Sequence, residues 1–180
     1  MQLDNANPIV FQSAQESFRL GNRDQFILWE DEDKDYVLRD TMEDEPEPID
    51  EQEVFDLIRS ISDPEHPLSL EQLAVISASQ IKILQNTVHV EFTPTVPHCG
   101  LSTLIGLSMR VRLLRSLPNR FKIDIKVKPG SHNSENAVNK QLNDKERVAA
   151  ALENSALIEV VERCLSTANR RGSVVIESNE

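Results

Sequence analysis

Charge is spread so unevenly along this 180-residue chain that it limits where a core can form. Residues 24–53 hold fourteen Asp or Glu against two Lys or Arg, a net charge of -12. The first 23 residues balance, and residues 54–180 carry fifteen basic against fourteen acidic side chains, or +1. A segment that repels itself and buries little apolar surface does not offset the entropy lost on ordering. The run from Glu30 to Asp35 and the Glu43-Asp44-Glu45-Pro46-Glu47-Pro48 cluster therefore predict a largely disordered acidic arm over residues 1–48. Two apolar islands interrupt it, Phe26-Ile27-Leu28-Trp29 and Tyr36-Val37-Leu38, either incidental or able to dock on a partner or on the domain. One domain over residues 49–166 and a flexible tail over 167–180 complete the expected organisation.

Several function classes are disfavoured. Two cysteines do not make a disulfide framework, and no charged start followed by an apolar core opens the chain, so a reducing intracellular compartment is expected. No apolar run approaches the roughly 18 residues that a membrane span needs, and a soluble protein with no membrane partner is the expectation. Gly100, Gly106 and Gly130 form neither a dinucleotide fingerprint nor a phosphate loop.

Order is predicted to begin at Asp50, which can cap a helix over about 51–61 while Glu53, three residues on, reaches back to the cap. Val54, Leu57, Ile58 and Ile61 give that helix one apolar face. Asp63-Pro64-Glu65-His66-Pro67 is a turn, because each proline disfavours helix in the residue before it. Ile81–Leu84 and Thr87–Thr93 are strands joined by Gln85-Asn86. A long helix follows Cys99 and runs to about Leu117, with Leu101, Leu104, Leu107 or Ser108, Val111 and Leu114 as its core stripe. Residues 121–128 alternate: Phe121, Ile123, Ile125 and Val127 inward, Lys122, Asp124, Lys126 and Lys128 outward. A strand, helix and strand of these lengths imply a crossover and a parallel pair. Helices over about 135–153 and 155–165 close the domain, burying Val138, Leu142, Ala149 and Leu152, then Leu157, Ile158, Val161 and Leu165. The expected fold class is α+β, a small mixed three-stranded sheet packed with helices.

The residues with chemistry to offer are few. Cys99 stands where a strand hands over to a helix, and free amides and the dipole at a helix start favour a thiolate. The spacing fits a reactive thiol or a metal ligand as well as it fits a small residue packed at the helix start. Cys164 falls on the apolar stripe of the last helix and is expected to be buried and structural. His66, His89, His98 and His132 show no zinc-ligand spacing. His98 is a candidate to orient Cys99, and Asp63, Glu65 and His66 form a polar turn that either approaches the cysteine loop or caps its own amides. Arg110, Arg112, Arg115, Arg120, Lys122, Lys126 and Lys128 concentrate positive charge without the stacking aromatics of a nucleic-acid reader. A plain solvated face is the default, and if it has a counterpart, a protein partner or the chain's own acidic segment is expected, with Arg110, Lys122, Lys126 and Lys128 on display and the Pro129–Asn139 loop, with His132 and Glu135, as a further contact candidate.

The sequence from Ile49 to Leu165 resembles a known family, the targeting-complex subunit of eukaryotic cytosolic iron-sulfur assembly, related to the SufT and PaaD-like domain. The similarity runs through Glu53-Val54-Phe55-Asp56-Leu57-Ile58-Arg59, Asp63-Pro64-Glu65-His66-Pro67, Phe92-Thr93-Pro94-Thr95, Pro97-His98-Cys99 and Leu104-Ile105-Gly106-Leu107. It continues through Leu113-Leu114-Arg115-Ser116-Leu117-Pro118, Pro129-Gly130-Ser131-His132 and the long Asn139–Asn154 stretch, and Asn5-Ala6-Asn7-Pro8 resembles a short N-terminal motif of the family. The resemblance implies a non-catalytic subunit that joins a WD-repeat propeller subunit and a helical-repeat adaptor, and that presents apo-proteins for insertion of four-iron clusters in the cytoplasm, with nuclear clients among them. It implies that Cys99 is the reactive cysteine and a tentative cluster ligand, and that Asp63 and Glu65 belong to the family's acidic turn. Gly100-Leu101-Ser102 departs from the Ser-Met-Ala usual after that cysteine, and the segment from about Ser17 to Arg39 is longer than typical.

No cofactor is expected to be held stably by the chain alone, because a lone thiolate needs ligands from elsewhere to hold a cluster; a transient iron-sulfur cluster through Cys99 fits. A homodimer stays open. The alternatives are a thiol enzyme using Cys99, which lacks a discernible third orienting residue, and a chromosome-associated scaffold acting through the acidic arm.

Overall fold

A computed structural model describes residues 7–13, 48–96 and 100–168. The expected disorder of the acidic arm between 14 and 47, both apolar islands and the tail beyond 168 lie outside the described residues. By backbone contacts the chain divides into Met1–Ser13 with Asp50–Glu180, and Ala14–Ile49. Within the first unit the amide of Phe11 donates to the carbonyl of Gln72 at 2.7 Å.

Helix α1, Glu51–Ile58, starts as its sequence predicts. Asp50 accepts from the Glu53 amide at 2.8 Å, and the Glu53 carboxylate accepts from the Asp50 amide at 3.2 Å. A 3-10 turn, Ala78–Gln80, leads into β1, Ile81–Leu84, which turns at Gln85-Asn86 into β2, Thr87–Phe92. Gln85 takes a left-handed φ of 55°, a conformation a non-glycine residue adopts at some cost and one reason the pair is a weak turn signal. Helix α2, Leu101–Ser116, then crosses to β3, Lys122–Val127. The sheet order is β1-β2-β3, with β1 antiparallel to β2 and β2 parallel to β3 in the register Val88↔Ile123, Val90↔Ile125, Phe92↔Val127. Among the described residues, five α-helices and this mixed sheet give the expected α+β class.

One face of the sheet is dry. Ile81, Val88, Val90, Phe92, Ile123, Ile125 and Val127 are buried there, together with Ile58, Ile105, Met109 and Leu113 from the helices. The other face shows Lys82, Leu84, Glu91, Lys122 and Lys126 to water, with His89 and Asp124 half-buried between them.

Three expectations need correction. The stripe of α2 is the predicted one only in part: Leu107, Ser108 and Val111 are buried as expected, but Leu101 and Leu104 are half-buried and Leu114 is 50 % exposed, while Ser102, Ile105, Gly106, Met109 and Leu113 are buried as well. The helix packs against α1 on one side and β3 on another, so most of its circumference is inside and no single apolar stripe marks it. The single helix expected over 135–153 is two, α3 (Glu135–Asn143) and α4 (Lys145–Glu153). Asp144 ends the first with an extended backbone and caps the second by accepting from the Glu146 amide at 3.1 Å. The phase consequently shifts, and Val148 is buried where Ala149 was expected. In α5, Ser155–Leu165, the buried residues are Val161, Cys164 and Leu165, and Ile158 is exposed.

The outer edge of β3 is closed by side chains. Asn143 accepts from the Ile125 amide at 3.1 Å and donates to the Ile125 carbonyl at 2.8 Å, doing for Ile125 what a neighbouring strand would do. Asn139 accepts from the Val127 amide at 2.8 Å. An unpaired strand edge invites pairing with another chain, and these two amides from α3 remove the invitation.

Candidate functional site

The Asp63–Pro67 turn is held in a rigid frame. Ser62 and Ser69 form an isolated antiparallel bridge, Asp63 donates its amide to the Leu68 carbonyl at 2.9 Å, and Leu70 donates to Ile61 at 2.9 Å. The Ser62 amide also bonds the carbonyl of Cys164 at 3.1 Å, tying the turn's base to α5. Inside this frame one oxygen of Asp63, a side chain only 8 % exposed, accepts from the amides of Glu65 (2.8 Å) and His66 (3.0 Å). The cap reading of Asp63 is thus the observed one: its carboxylate organises the turn.

That organisation aims two other groups at each other. The side chains of Glu65 and His66 are 11 % and 9 % exposed, and Glu65 Oε2 lies 3.7 Å from His66 Nε2. The separation is too long for a hydrogen bond, and His66 Nε2 has no partner among the described residues. A buried imidazole nitrogen left in this way is uncommon in a folded protein.

Cys99 and His98 lie outside the described residues. On the described side, α2 begins at Leu101 after Gly100, whose backbone is already helical and supplies no side-chain cap. Ser102 is buried with its hydroxyl unpartnered among the described residues. Cys164 is 2 % exposed. Burial pushes its thiol pKa up and the Asp63 charge adds to the rise, against the pull of a hydrogen bond with Ser108 and the charge of Arg163. A thiol so placed is inert, the structural role its position on the stripe predicts.

Among the basic residues expected on display, Arg110 stands apart. Arg110 is not on display: it is 7 % exposed, and its guanidinium donates to the Ile123 carbonyl at 3.2 Å and to Asn143 Oδ1 at 3.3 Å. The cause is the same all-round burial of α2, which turns this side chain towards β3 and α3. Burial lowers its pKa, against the nearby charge of Asp124. Arg112 is also structural, donating to the carbonyls of Leu57 (3.2 Å) and Ala168 (3.1 Å). Lys122, Lys126 and Lys128 are exposed as expected. His132 accepts through Nδ1 from the Ser134 amide at 3.0 Å, and Glu135 accepts from the Gly130 amide at 2.8 Å, so both help to shape the 129–135 turn, where Gly130 takes a φ of 77°.

One cluster was missed by sequence reasoning. Asp124 Oδ2 lies 2.9 Å from His89 Nδ1 and 2.8 Å from Lys126 Nζ on the open face of the sheet. Burial raises the Asp124 pKa, but the hydrogen bonds and charges of Lys126 and His89 outweigh it and hold the carboxyl below its usual range. The signal was present in the pairing His89↔Asp124, which becomes legible only once the parallel register is known. No group of three or more metal-ligating side chains occurs among the described residues, and no helix there is long and apolar enough to cross a membrane.

Comparison with known proteins places this geometry. The profile of the iron-sulfur cluster assembly protein family matches residues 51–127, which run from the first residue of α1 to the last of β3. Cytosolic iron-sulfur assembly component 2B of Mus musculus is 54 % identical over 166 residues, covering 91 % of this chain and 91 % of the relative. The chain belongs to the MIP18 family of iron-sulfur cluster assembly proteins. MIP18 family protein galla-2 of Drosophila melanogaster is 60 % identical over 137 residues, 74 % of this chain and 88 % of the relative. Protein AE7 of Arabidopsis thaliana is 61 % identical over 122 residues, 67 % and 78 % respectively. The matched span makes the rigid turn, the sheet and α2 the common ground of this MIP18-family domain.

Proposed function

We infer that this MIP18-family chain is a component of cytosolic iron-sulfur protein assembly and acts there as a non-catalytic subunit of the targeting complex. The observation that carries the reading is the likeness, over 91 % of each chain, to a relative named cytosolic iron-sulfur assembly component 2B. In this role the chain joins a WD-repeat propeller subunit and a helical-repeat adaptor and brings apo-proteins to the point of four-iron cluster insertion. It works in the cytosol and serves nuclear clients as well. The chain holds no cluster stably by itself. Cys99, two positions before the first residue of α2, contacts a transient cluster as a thiolate, favoured by the amides and dipole of a helix start, with His98, Asp63, Glu65 and His66 as its polar support. The partner surface is the open sheet face with Lys122 and Lys126, extended by Lys128 and by the turn bearing His132 and Glu135.

Replacement of the chain in cells by Cys99→Ala or by Cys164→Ala tests the reading. Cys99→Ala is expected to leave thermal unfolding unchanged and to lower the activity of client iron-sulfur enzymes, whereas Cys164→Ala lowers stability by about 1 kcal/mol and spares the clients. Glu at both Lys122 and Lys126 is expected to weaken capture of a propeller and a helical-repeat protein at low salt. Full client activity with Cys99→Ala would remove the thiol from the function, and turnover of a small substrate by the purified chain would replace the subunit reading with an enzyme.

A further inference from the structure

Three buried polar atoms lack a partner among the described residues: Ser102 Oγ, Arg110 Nε and His66 Nε2. The first two stand on α2, and Arg110 has other bonds to hold it. His66 differs, because its ring nitrogen faces a carboxylate across 3.7 Å on a turn fixed from both ends. We propose that Glu65 and His66 together chelate one divalent first-row transition-metal ion, with Glu65 Oε2 and His66 Nε2 as the protein ligands.

The geometry suits that ion better than it suits a direct contact. With metal-ligand bonds of about 2.1 Å, ligand atoms lie about 3.0 Å apart at a right angle and about 3.4 Å apart at the tetrahedral angle, so the observed gap closes with a few tenths of an ångström of side-chain rotation. A hydrogen bond would need a larger approach by two side chains whose backbone amides are already pinned to Asp63. The rigid frame is what a chelate of two sequence neighbours requires: Asp63 spends one oxygen on both amides, Pro64 and Pro67 flank the pair, and the Ser62–Ser69 bridge closes the base. Asp63 is thereby a positioning residue and not a ligand.

One imidazole and one carboxylate form a borderline donor set. They favour ferrous, cobaltous or zinc ions over cuprous ion, which prefers thiolates, and over magnesium or calcium, which prefer all-oxygen cages. The described residues supply two ligands and leave at least two positions for others, the arrangement of a site that passes an ion on and does not keep it as a structural site does. The proposal rests on the iron-sulfur reading only for its biological use, and needs no ligand from Cys99.

The test uses the full chain, reduced and anaerobic, titrated with cobaltous chloride and then with ferrous ammonium sulfate, and followed by histidine ring NMR and by calorimetry. One ion per chain is expected to broaden the His66 ring signals first while His89, bonded to Asp124, keeps its signals. Glu65→Gln should weaken binding at least about tenfold, as loss of even an outer partner of a metal site does. His66→Asn should abolish it, and Cys99→Ser should leave it unchanged. Should His66→Asn fail to fold, the ring signals of the unaltered chain and the Glu65→Gln titration still decide. A His66 ring carrying protons on both nitrogens at neutral pH and indifferent to either ion would show a plain ion pair with Glu65 and overturn the proposal. Loss of binding with Cys99→Ser but not with Glu65→Gln would overturn it too. The Cys99 reading stands or falls separately, on client activity.

Discussion

At Gly106 the backbone of α2 lies against Leu142 of α3, and adding one methyl group there has a calculable effect. A Cβ built at Gly106 would lie 2.8 Å from Leu142 Cδ2 and nearer still to Cδ1, where real side chains do not sit. Leu142 is 1 % exposed, so its branched end has little room to retreat. Overpacking of this kind costs about 1–3 kcal/mol. Alanine in place of glycine inside a helix returns about 0.8–1.0 kcal/mol. Gly106→Ala is therefore expected to destabilise by about 1 kcal/mol net. Leu142→Ala alone should cost about 2–5 kcal/mol through the cavity it leaves. In the double variant the new methyl occupies part of that cavity, so the two costs should fall short of their sum by about 1–2 kcal/mol. Urea unfolding of the four proteins, with unchanged slopes, measures the cycle. Additivity to within about 0.5 kcal/mol would refute the direct contact and, with it, the reason for a glycine at this position.

Asn143→Ala should cost about 1–3 kcal/mol, because it strips Ile125 of its edge partner and leaves the buried Arg110 guanidinium one acceptor short. The same variant reopens the β3 edge, and size-exclusion chromatography should show concentration-dependent association that the parent lacks. Asp124→Asn should be less stable than the parent at neutral pH, since a carboxyl held below its usual pKa adds stability above its unfolded pKa and loses it as pH falls through the lower folded value. The stability gap should narrow as the pH falls below about 4, near the ordinary aspartate pKa; a gap that persists unchanged at lower pH would refute the reading of a carboxyl held below its usual range.

What could be read from the sequence was local. The cap of α1 depends on Asp50 and Glu53 alone, and β3 alternates because one of its faces is wet and the other dry. The rigid turn announced itself through two prolines and an Asp placed to bond the amides that follow. What escaped depended on neighbours distant in sequence. Leu114 looked like core and Arg110 like surface because a helical stripe was assumed, and a helix enclosed on several sides has none. Charge was taken as exposure at Arg110, although a carbonyl of Ile123 and the amide of Asn143, thirty-three residues away, were waiting for it. The orphaned nitrogen of His66 could not be foreseen at all, since sequence shows which groups exist and not which of them remain unpaired.

The two edges of the sheet bear on how this chain can meet a partner. The β3 edge is closed by Asn139 and Asn143, and on the far side the Ile83 amide of β1 donates to the carboxylate of Glu51 at 3.4 Å while the Ile81 amide turns back to Ala78. With backbone donors engaged on both sides, strand addition has little to grasp. The open face between the edges offers side chains instead: Lys82, Lys122 and Lys126 around a half-buried Asp124. Binding through such groups is governed by charge and shape more than by backbone geometry, so association should be fast at low salt and should slow as the Debye length falls from about 10 Å at 0.1 M to about 3 Å at 1 M. Because Lys126 is already bonded to Asp124 at 2.8 Å, Lys122, for which no carboxylate stands opposite in the register, has more of its charge to give a partner. Its reversal alone should therefore slow association more than reversal of Lys126 alone, and the opposite order would mean that the Asp124 cluster, rather than the free lysine, forms the contact.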